Sequence, residues 1–238
     1  MISVCLATYN GCKYIREQLE SILPQLSEDD EIIVSDDVSS DNTVEVIQSL
    51  NDQRIVVVKN NGPHGFVKNF ENVLKYIHGD FVFFSDQDDI WTPDKVKKSL
   101  NYLQKYDLIV HNALLVDANG CSLGKTYFEC LHQGCGFWMN WWKNRFLGCC
   151  MVMKRNIIEY SLPFPQNTQG HDYWIGMLAL AAKYKVGFVD DVLLLYRRHG
   201  NNLSPSSEKS NNSLFYKIFT KRLPLLINVL IRRFSKIL

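Results

Sequence analysis

The 238-residue chain lacks several signatures that would settle its chemistry at a glance. It has no Walker-type Gly-rich phosphate loop, which counts against the nucleotidyltransferases and phosphohydrolases built around one. Its seven cysteines, at 5, 12, 121, 130, 135, 149 and 150, include no C-x-x-C pair, and their spacing does not resemble a zinc site. Cys5, Cys149 and Cys150 sit in apolar runs, where reduced, buried thiols are expected, as in a reducing cytosol. The chain opens on Ile2-Ser3-Val4-Cys5-Leu6 with no charged region ahead of a long apolar stretch, which argues against a cleaved signal peptide. The longest late apolar run, residues 223–231, is broken by Pro224 and Asn228 and falls far short of the roughly 20 residues needed to span a bilayer. Acidic residues are missing altogether after Glu208.

That last absence divides the charge. The formal net charge of +1 splits into +6 on residues 213–238 and −5 on residues 1–212. An acidic body argues against general nucleic-acid binding, whereas a cationic tail favours an anionic surface. Residues 1–203 are read as one catalytic domain, 204–213 as a Ser- and Asn-rich linker, and 214–238 as a basic amphipathic helical tail.

Within the body, short β-rich runs alternate with helix-period runs. Residues 2–7, 31–35, 55–58 and 81–84 read as strands, separated by helices with Ile15, Leu19, Ile22 and Leu23, then Val44, Ile47 and Leu50, then Phe66, Phe70, Val73, Leu74 and Ile77 on their apolar sides. The alternation predicts an α/β fold, a mostly parallel, Rossmann-like sheet flanked by helices. Residues 1–117 form its first half. Residues 118–203 are less regular: after strands at 107–111 and 114–117, residues 148–153 read as a strand, 171–184 as a helix and 192–197 as a strand. Residues 121–144 show no clear period and are read as a long loop over the site.

Ligands of open α/β sheets collect at the carboxyl ends of the strands, and three successive strand ends here are polar. Thr8-Tyr9-Asn10-Gly11 follows the first strand; alone it is only a turn. Ser35-Asp36-Asp37-Val38-Ser39-Ser40-Asp41 follows the second, where Ser39, Ser40 or Asp41 would cap a helix, or a carboxylate would accept the imide N–H of a uracil or thymine. Ser85-Asp86-Gln87-Asp88-Asp89-Ile90-Trp91 follows the fourth. Carboxylates this close repel one another and invite a hard cation such as Mg²⁺ or Mn²⁺, which completes its shell with phosphate oxygens and water. Thr92 as N-cap and Pro93 at the first helical position explain an acidic turn in part, but not Asp86 and Asp88.

Leu6-Ala7-Thr8-Tyr9-Asn10, the Asp36-Asp37 turn, the Ser85–Trp91 string and a late His171-Asp172 together resemble the family 2 glycosyltransferases. The string, with Tyr196-Arg197-Arg198-His199-Gly200-Asn201-Asn202, is similar to bacterial rhamnosyltransferases and related O-antigen and capsule enzymes. The resemblance implies the GT-A fold, with a nucleotide-binding first half and an acceptor-binding second half. It implies a nucleoside-diphosphate sugar donor, contacted by Thr8, Tyr9, Asn10, Asp36, Asp37, Asp86, Gln87, Arg197 and Arg198, with Asp37 on the base. Mn²⁺ or Mg²⁺ would be bound by Asp88, with Asp86 on the ribose or a metal-bound water and His199 as a further ligand; Asp89 would fix the loop to Trp91. Asp172 would be the catalytic base of an inverting transfer, with Gly148, Cys149, His171, Trp174 and Trp91 facing the acceptor. The family usually has Gly where this chain has Val38, so a reshaped turn is expected there.

Plainer roles compete with these. Asp172 would also suit a helix N-terminus through the dipole, a lone His199 is ordinarily structural, and Trp138, Trp141, Trp142 and Trp174 serve either to stack on sugar rings or to pack the core. The tail is either an anchor on the inner face of the cytoplasmic membrane, fitting a polyprenyl-diphosphate-linked glycan acceptor, or a helix packed on its own domain. A Mg²⁺-dependent nucleotidyltransferase, a glycosidase and a non-catalytic sugar-binding module remain as rivals.

Overall fold

The computed structural model describes residues 1–131, 134, 136–199, 216 and 218–235. β1 (Ile2–Thr8), β2 (Glu31–Asp36), β3 (Ile55–Lys59) and β4 (Phe81–Ser85) lie in the order β3-β2-β1-β4, all parallel. β1 is central and buried along almost its whole length, as a strand covered on both faces must be. The crossovers are α1 (Ile15–Ile22), α2 (Thr43–Gln48) and α3 (Phe66–Val73). In α1 the three- and four-residue spacing of Ile15, Leu19 and Ile22 puts all three in the core, and Gln18 on the same face donates to Ser85 Oγ at 2.5 Å.

The second half changes direction. After β5 (Ile90–Trp91) and α4 (Lys95–Tyr102) come β6 (Leu108–Val116), β7 (Ser122–Thr126), α5 (Tyr127–Leu131) and α6 (Phe137–Trp142). The chain continues through β8 (Met151–Lys154), α7 (Arg155–Ser161), α8 (His171–Ala181), β9 (Val186–Arg197) and, last, α9 (Leu223–Ser235). The sheet continues β4-β8-β6-β9-β5, with β7 on the side of β6. β8 is antiparallel to both β4 and β6, while β6 and β9 are parallel. The sheet is therefore mixed, parallel in the first half and partly antiparallel in the second. One buried cluster runs through both halves, from Val4 and Phe83 to Val152, Leu178 and Val229.

Several boundaries differ from the sequence reading. The strands expected at 107–111 and 114–117 are one strand, β6, whose register against β9 shifts around Asn112. The Asn112 side chain accepts the Ala113 and Phe128 N–H groups there, which absorbs the irregularity. The region 121–144, read as a loop, contains β7, α5 and α6; each is too short to display a period. Residues 148–150 form a tight helical turn before β8 rather than strand. The proposed linker 204–213, and Gly200, Asn201 and Asn202, lie outside the described residues.

The antiparallel entry of β8 brings the two halves together at one end of the sheet. Because Phe83 of β4 faces Val152 of β8, the turn 148–150 arrives at the carboxyl end of β4, beside Asp86. β5 pairs Ile90 with Leu195 of β9, which carries the end of β9 to the same place.

Candidate active site

The first acidic turn is closed on itself. Thr8 lies opposite Asp36 in the β1–β2 register, and its hydroxyl donates to Asp36 Oδ1 at 2.9 Å. Ser39 donates its N–H to Asp36 Oδ2 and its hydroxyl to Oδ1. Asp36 is thereby a latch between strands. Asp37 holds the β3–α3 loop: Oδ1 accepts Asn60 Nδ2 at 2.7 Å and lies 3.2 Å from the His64 ring, and Oδ2 accepts the Gly65 N–H. Asn10 closes the first turn over the second, its side-chain oxygen accepting the Ser40 N–H. Val38 sits between them with φ +63°. This is a left-handed conformation that a β-branched residue adopts only under strain.

Gln87 belongs to the same scaffold. It accepts the Tyr9 N–H at 2.9 Å and donates to the Tyr9 carbonyl at 3.1 Å, tying the β4 loop to the β1 loop. Of the three residues after β1, Tyr9 alone presents a large exposed side chain.

The second acidic turn is open. Asp88 Oδ2 lies 2.7 Å from His199 Nε2, whose ring stacks on Tyr14. Asp89 accepts the Arg197 N–H through Oδ1, while Oδ2 is buried with no hydrogen-bond partner. Ligand atoms of Asp86, Asp89 and Cys149 lie within 4.8 Å of one another. Burial, with the charges of Asp88 and Asp172 behind it, pushes the Asp86 carboxyl up to about 7. Burial, then Asp88 and Asp86, pushes Asp89 well above the usual carboxylate range. An orphaned buried carboxylate oxygen amid mutually repelling carboxylates is the chemistry of a hard-cation site. Asp86 and Asp89 suit Mn²⁺ or Mg²⁺, whereas Asp88, the ligand expected first, and His199 lie outside that group and meet each other instead; the Cys149 thiol, pushed up chiefly by burial, stays protonated and suits neither.

Arg197 is used up by the protein. Nε donates to the Asp88 carbonyl, Nη1 to the Ala118 carbonyl and Nη2 to Glu17 at 2.6 Å, with the guanidinium 4.6 Å from the Tyr14 ring centre. It fastens the end of β9 to the acidic loop and to α1, so it does not reach a donor as expected. Arg198, half-buried, donates its backbone N–H to Val116.

Lys95 escaped the sequence reading, because a lysine in Pro93-Asp94-Lys95-Val96-Lys97-Lys98 looks like part of a solvated helix start. It is fully buried, donates to the Cys149 carbonyl at 2.8 Å and stands 4.2 Å over the Trp91 ring. Burial lowers its ammonium to about 8 against the opposing pull of Cys150, Cys149, Asp89 and Asp86. It fixes the turn 148–150 and provides a counter-charge beneath the acidic loop. The one available signal was its place four residues after Trp91, on the inner side of the first turn of α4.

The opposite wall is the start of α8. Asp172 is half-buried, and burial pushes its carboxyl up to about 6 although the N–H groups of Tyr173, Asp172 and Gly148 and the Asn144 side chain all favour its charge. It is close enough to Asp86 for its charge to help raise that carboxyl. His171 is buried, stacked 3.7 Å from the Phe70 ring centre, with both ring nitrogens lacking hydrogen-bond partners. Burial depresses it to about 3, so it packs as a neutral ring. A Cβ on Gly148 would stand 2.5 Å from His171 Nε2, which is why this position needs glycine. Two aromatic expectations fail. Trp174 is a core side chain that donates to the Ser161 carbonyl, and Trp91 is buried against Phe83; neither offers a face to a sugar.

The sequence pattern of glycosyl transferase family 2 matches residues 3–161. The dTDP-rhamnosyl transferase RfbG of Shigella flexneri is 29% identical over 224 residues, covering 83% of this chain and 72% of that protein. The UDP-Glc:alpha-D-GlcNAc-diphosphoundecaprenol beta-1,3-glucosyltransferase WfgD of Escherichia coli is 26% identical over 189 residues, covering 75% of this chain and 70% of that protein. Among solved structures, S. aureus TarS 1-349 in complex with UDP-GlcNAc matches 98% of this chain and 72% of that chain with TM-score 0.68 at 20% identity. In its complex with UDP, 60% of the TarS chain is matched, so this chain spans part of its length. The fold is that of the GT-A glycosyltransferases, and the chain belongs to glycosyl transferase family 2.

Proposed function

We propose that this chain is an inverting, divalent-cation-dependent glycosyltransferase of bacterial surface polysaccharide synthesis. The donor we assign first is dTDP-rhamnose, the donor named for RfbG, with UDP-glucose or UDP-galactose as its rivals. The acceptor is a hydroxyl of a polyprenyl-diphosphate-linked glycan, in keeping with the substrate named for WfgD. The observation that carries the reading is the facing of Asp172, pushed up to about 6, with the acidic turn around Asp86 at the carboxyl end of β4.

In this reading the nucleotide lies along the ends of β1 and β2, its base over the turn that Asp37 and Val38 form and Tyr9 beside it. Asp86, Asp88 and Asp89 would hold the cation, which when bound would supply positive charge against the diphosphate. His199 orients Asp88 through the 2.7 Å contact, and Arg198 is the arginine assigned to the diphosphate. Gly148 and Cys149 line the acceptor side with backbone. The acceptor oxygen attacks the anomeric carbon on the face away from the diphosphate. As the new C–O bond forms, the bond from that carbon to the phosphate oxygen breaks, and the hydroxyl proton passes to Asp172. The configuration inverts with no covalent intermediate. A carboxylate raised to about 6 is ionised at neutral pH yet a stronger base than an ordinary aspartate, as proton abstraction requires. The cationic tail holds the enzyme at the cytoplasmic face of the membrane, where such an acceptor resides. No helix among the described residues is long and apolar enough to cross a bilayer.

A thermal-shift panel of UDP-, dTDP- and GDP-sugars with Mn²⁺ or Mg²⁺ tests the donor. A cation-dependent rise with dTDP-rhamnose or a UDP-hexose is expected; a response to GDP-sugars alone would overturn the assignment.

A further inference from the structure

α9 is apolar on two opposite sides. Leu225 and Val229 turn inward onto α8, and Arg232 of the same face donates to the Leu162 and Pro163 carbonyls and lies 5.8 Å from the Trp174 ring. On the far side, Leu223, Ile227, Leu230, Ile231 and Phe234 are 37–62% exposed. At 100° per residue these five fall within one stripe about a third of the circumference wide. A helix that only packed on its own domain would carry polar residues there.

The stripe does not end with α9. Trp141 of α6 donates its indole N–H to the Arg222 carbonyl, and the Arg222 guanidinium stands 4.5 Å over Trp142. α6 thus abuts Arg222, immediately ahead of α9, and adds Trp138, Met139 and Trp142, exposed by 66, 47 and 49%. Both contributing stretches are without acid: none occurs between Glu129 and Glu159 or after Glu208, while Lys143, Arg145, Lys221, Arg222 and Arg233 flank the apolar residues. Exposed tryptophan beside a hydrophobic stripe, on stretches that carry cations and no acid, matches the headgroup layer of an anionic bilayer.

We infer that the outer face of α9 and the exposed residues of α6 form one composite surface that docks on anionic lipid while α9 stays seated on the domain. The inference rests on the proposed membrane role of the tail and goes beyond it in two respects. The tail docks without detaching, and the α6 tryptophans belong to the lipid surface rather than to a sugar site. Its consequence is orientation. Tyr173, next to Asp172, donates its hydroxyl to the Trp141 carbonyl, and Gln169 donates to the Thr220 carbonyl, so the lipid-facing surface is fastened directly to the loop and helix that carry the base. A lipid-linked acceptor would then meet the base at a fixed height above the bilayer.

The test is sedimentation of the full chain with phosphatidylglycerol-containing and pure phosphatidylcholine vesicles, with tryptophan quenching by brominated lipid. Two variants are compared: Trp138→Ser with Met139→Ser, which spares the Trp142–Arg222 contact, and Ile231→Ser with Phe234→Ser. Circular dichroism melting of each confirms folding. The wild type is expected to bind anionic vesicles with quenched tryptophan, and each pair of substitutions to weaken binding about tenfold or more. Loss with the α9 pair but not the α6 pair, without quenching, would overturn the composite surface and leave the tail reading standing. Binding unchanged by both pairs would sink both. A concentration-dependent dimer that the same substitutions abolish would assign the surface to a second copy instead.

Discussion

Two acidic turns that look alike in sequence, Asp36-Asp37 and Asp86-Gln87-Asp88-Asp89, have opposite physics in the structure. In the first, hydrogen bonds from Thr8, Ser39, Asn60 and Gly65 reach all four carboxylate oxygens of Asp36 and Asp37. In the second, an oxygen of Asp89 is buried with no hydrogen-bond partner, and the carboxyls of Asp86 and Asp89 are driven upward by burial and by their acidic neighbours. A satisfied carboxylate contributes to stability; a frustrated one is costly until a ligand arrives. The contrast distinguishes the two turns more sharply than residue type does.

The widest gap between scaffold and site should open at Asp172. Asp172→Asn is expected to cut transfer about 10²–10⁴-fold while leaving donor binding intact. Because folding raises this carboxyl from the ordinary value to about 6, the folded state favours the protonated form, and stability falls as pH rises between roughly 4 and 6. The neutral Asn should therefore raise stability above pH 6, by at most about 3 kcal/mol, measured by urea unfolding at pH 5 and pH 7.5. Wild-type turnover should climb with pH through the same region, since the base must be ionised.

Next in size is the exchange of the two turns' roles. Asp89→Asn should abolish the Mn²⁺-induced rise in melting temperature yet raise the melting temperature of the metal-free protein. Asp36→Ala should do the reverse, lowering stability by about 1–3 kcal/mol through stranded donors. If both variants lower metal-free stability equally, the contrast between the turns fails.

Lys95→Met should lower turnover more than it alters donor affinity, because it unseats the turn 148–150 whose Gly148 N–H holds Asp172. The check is kcat against KM for the donor. The smallest effect belongs to Val38→Gly, which should stabilise the fold by about 1 kcal/mol by relieving the positive φ, less the added freedom of the unfolded chain.

Much of the scaffold was legible because its signals are local. The runs that became β1 to β4 carry apolar residues on both faces, and Ile15, Leu19 and Ile22 mark their own helix face. The acidic turn at the end of β4 was legible as a cluster of carboxylates after an apolar strand. What escaped depends on contacts across distant parts of the chain: Lys95 is buried only because the turn 148–150 offers it a carbonyl, and Arg197 is occupied only because Glu17 and Ala118 stand nearby. The faces of α9 were half legible. Its apolar residues are plain in sequence, but which of them α8 covers is decided by packing.

Asp172 is the base proposed for sugar transfer at the acidic turn. Its most direct test is transfer of intact sugar by wild type and Asp172→Asn, with donor binding measured in parallel by calorimetry in Mn²⁺. Donor affinity should stay within about twofold of wild type while transfer falls at least a hundredfold. Transfer by Asp172→Asn at the wild-type rate would contradict that role.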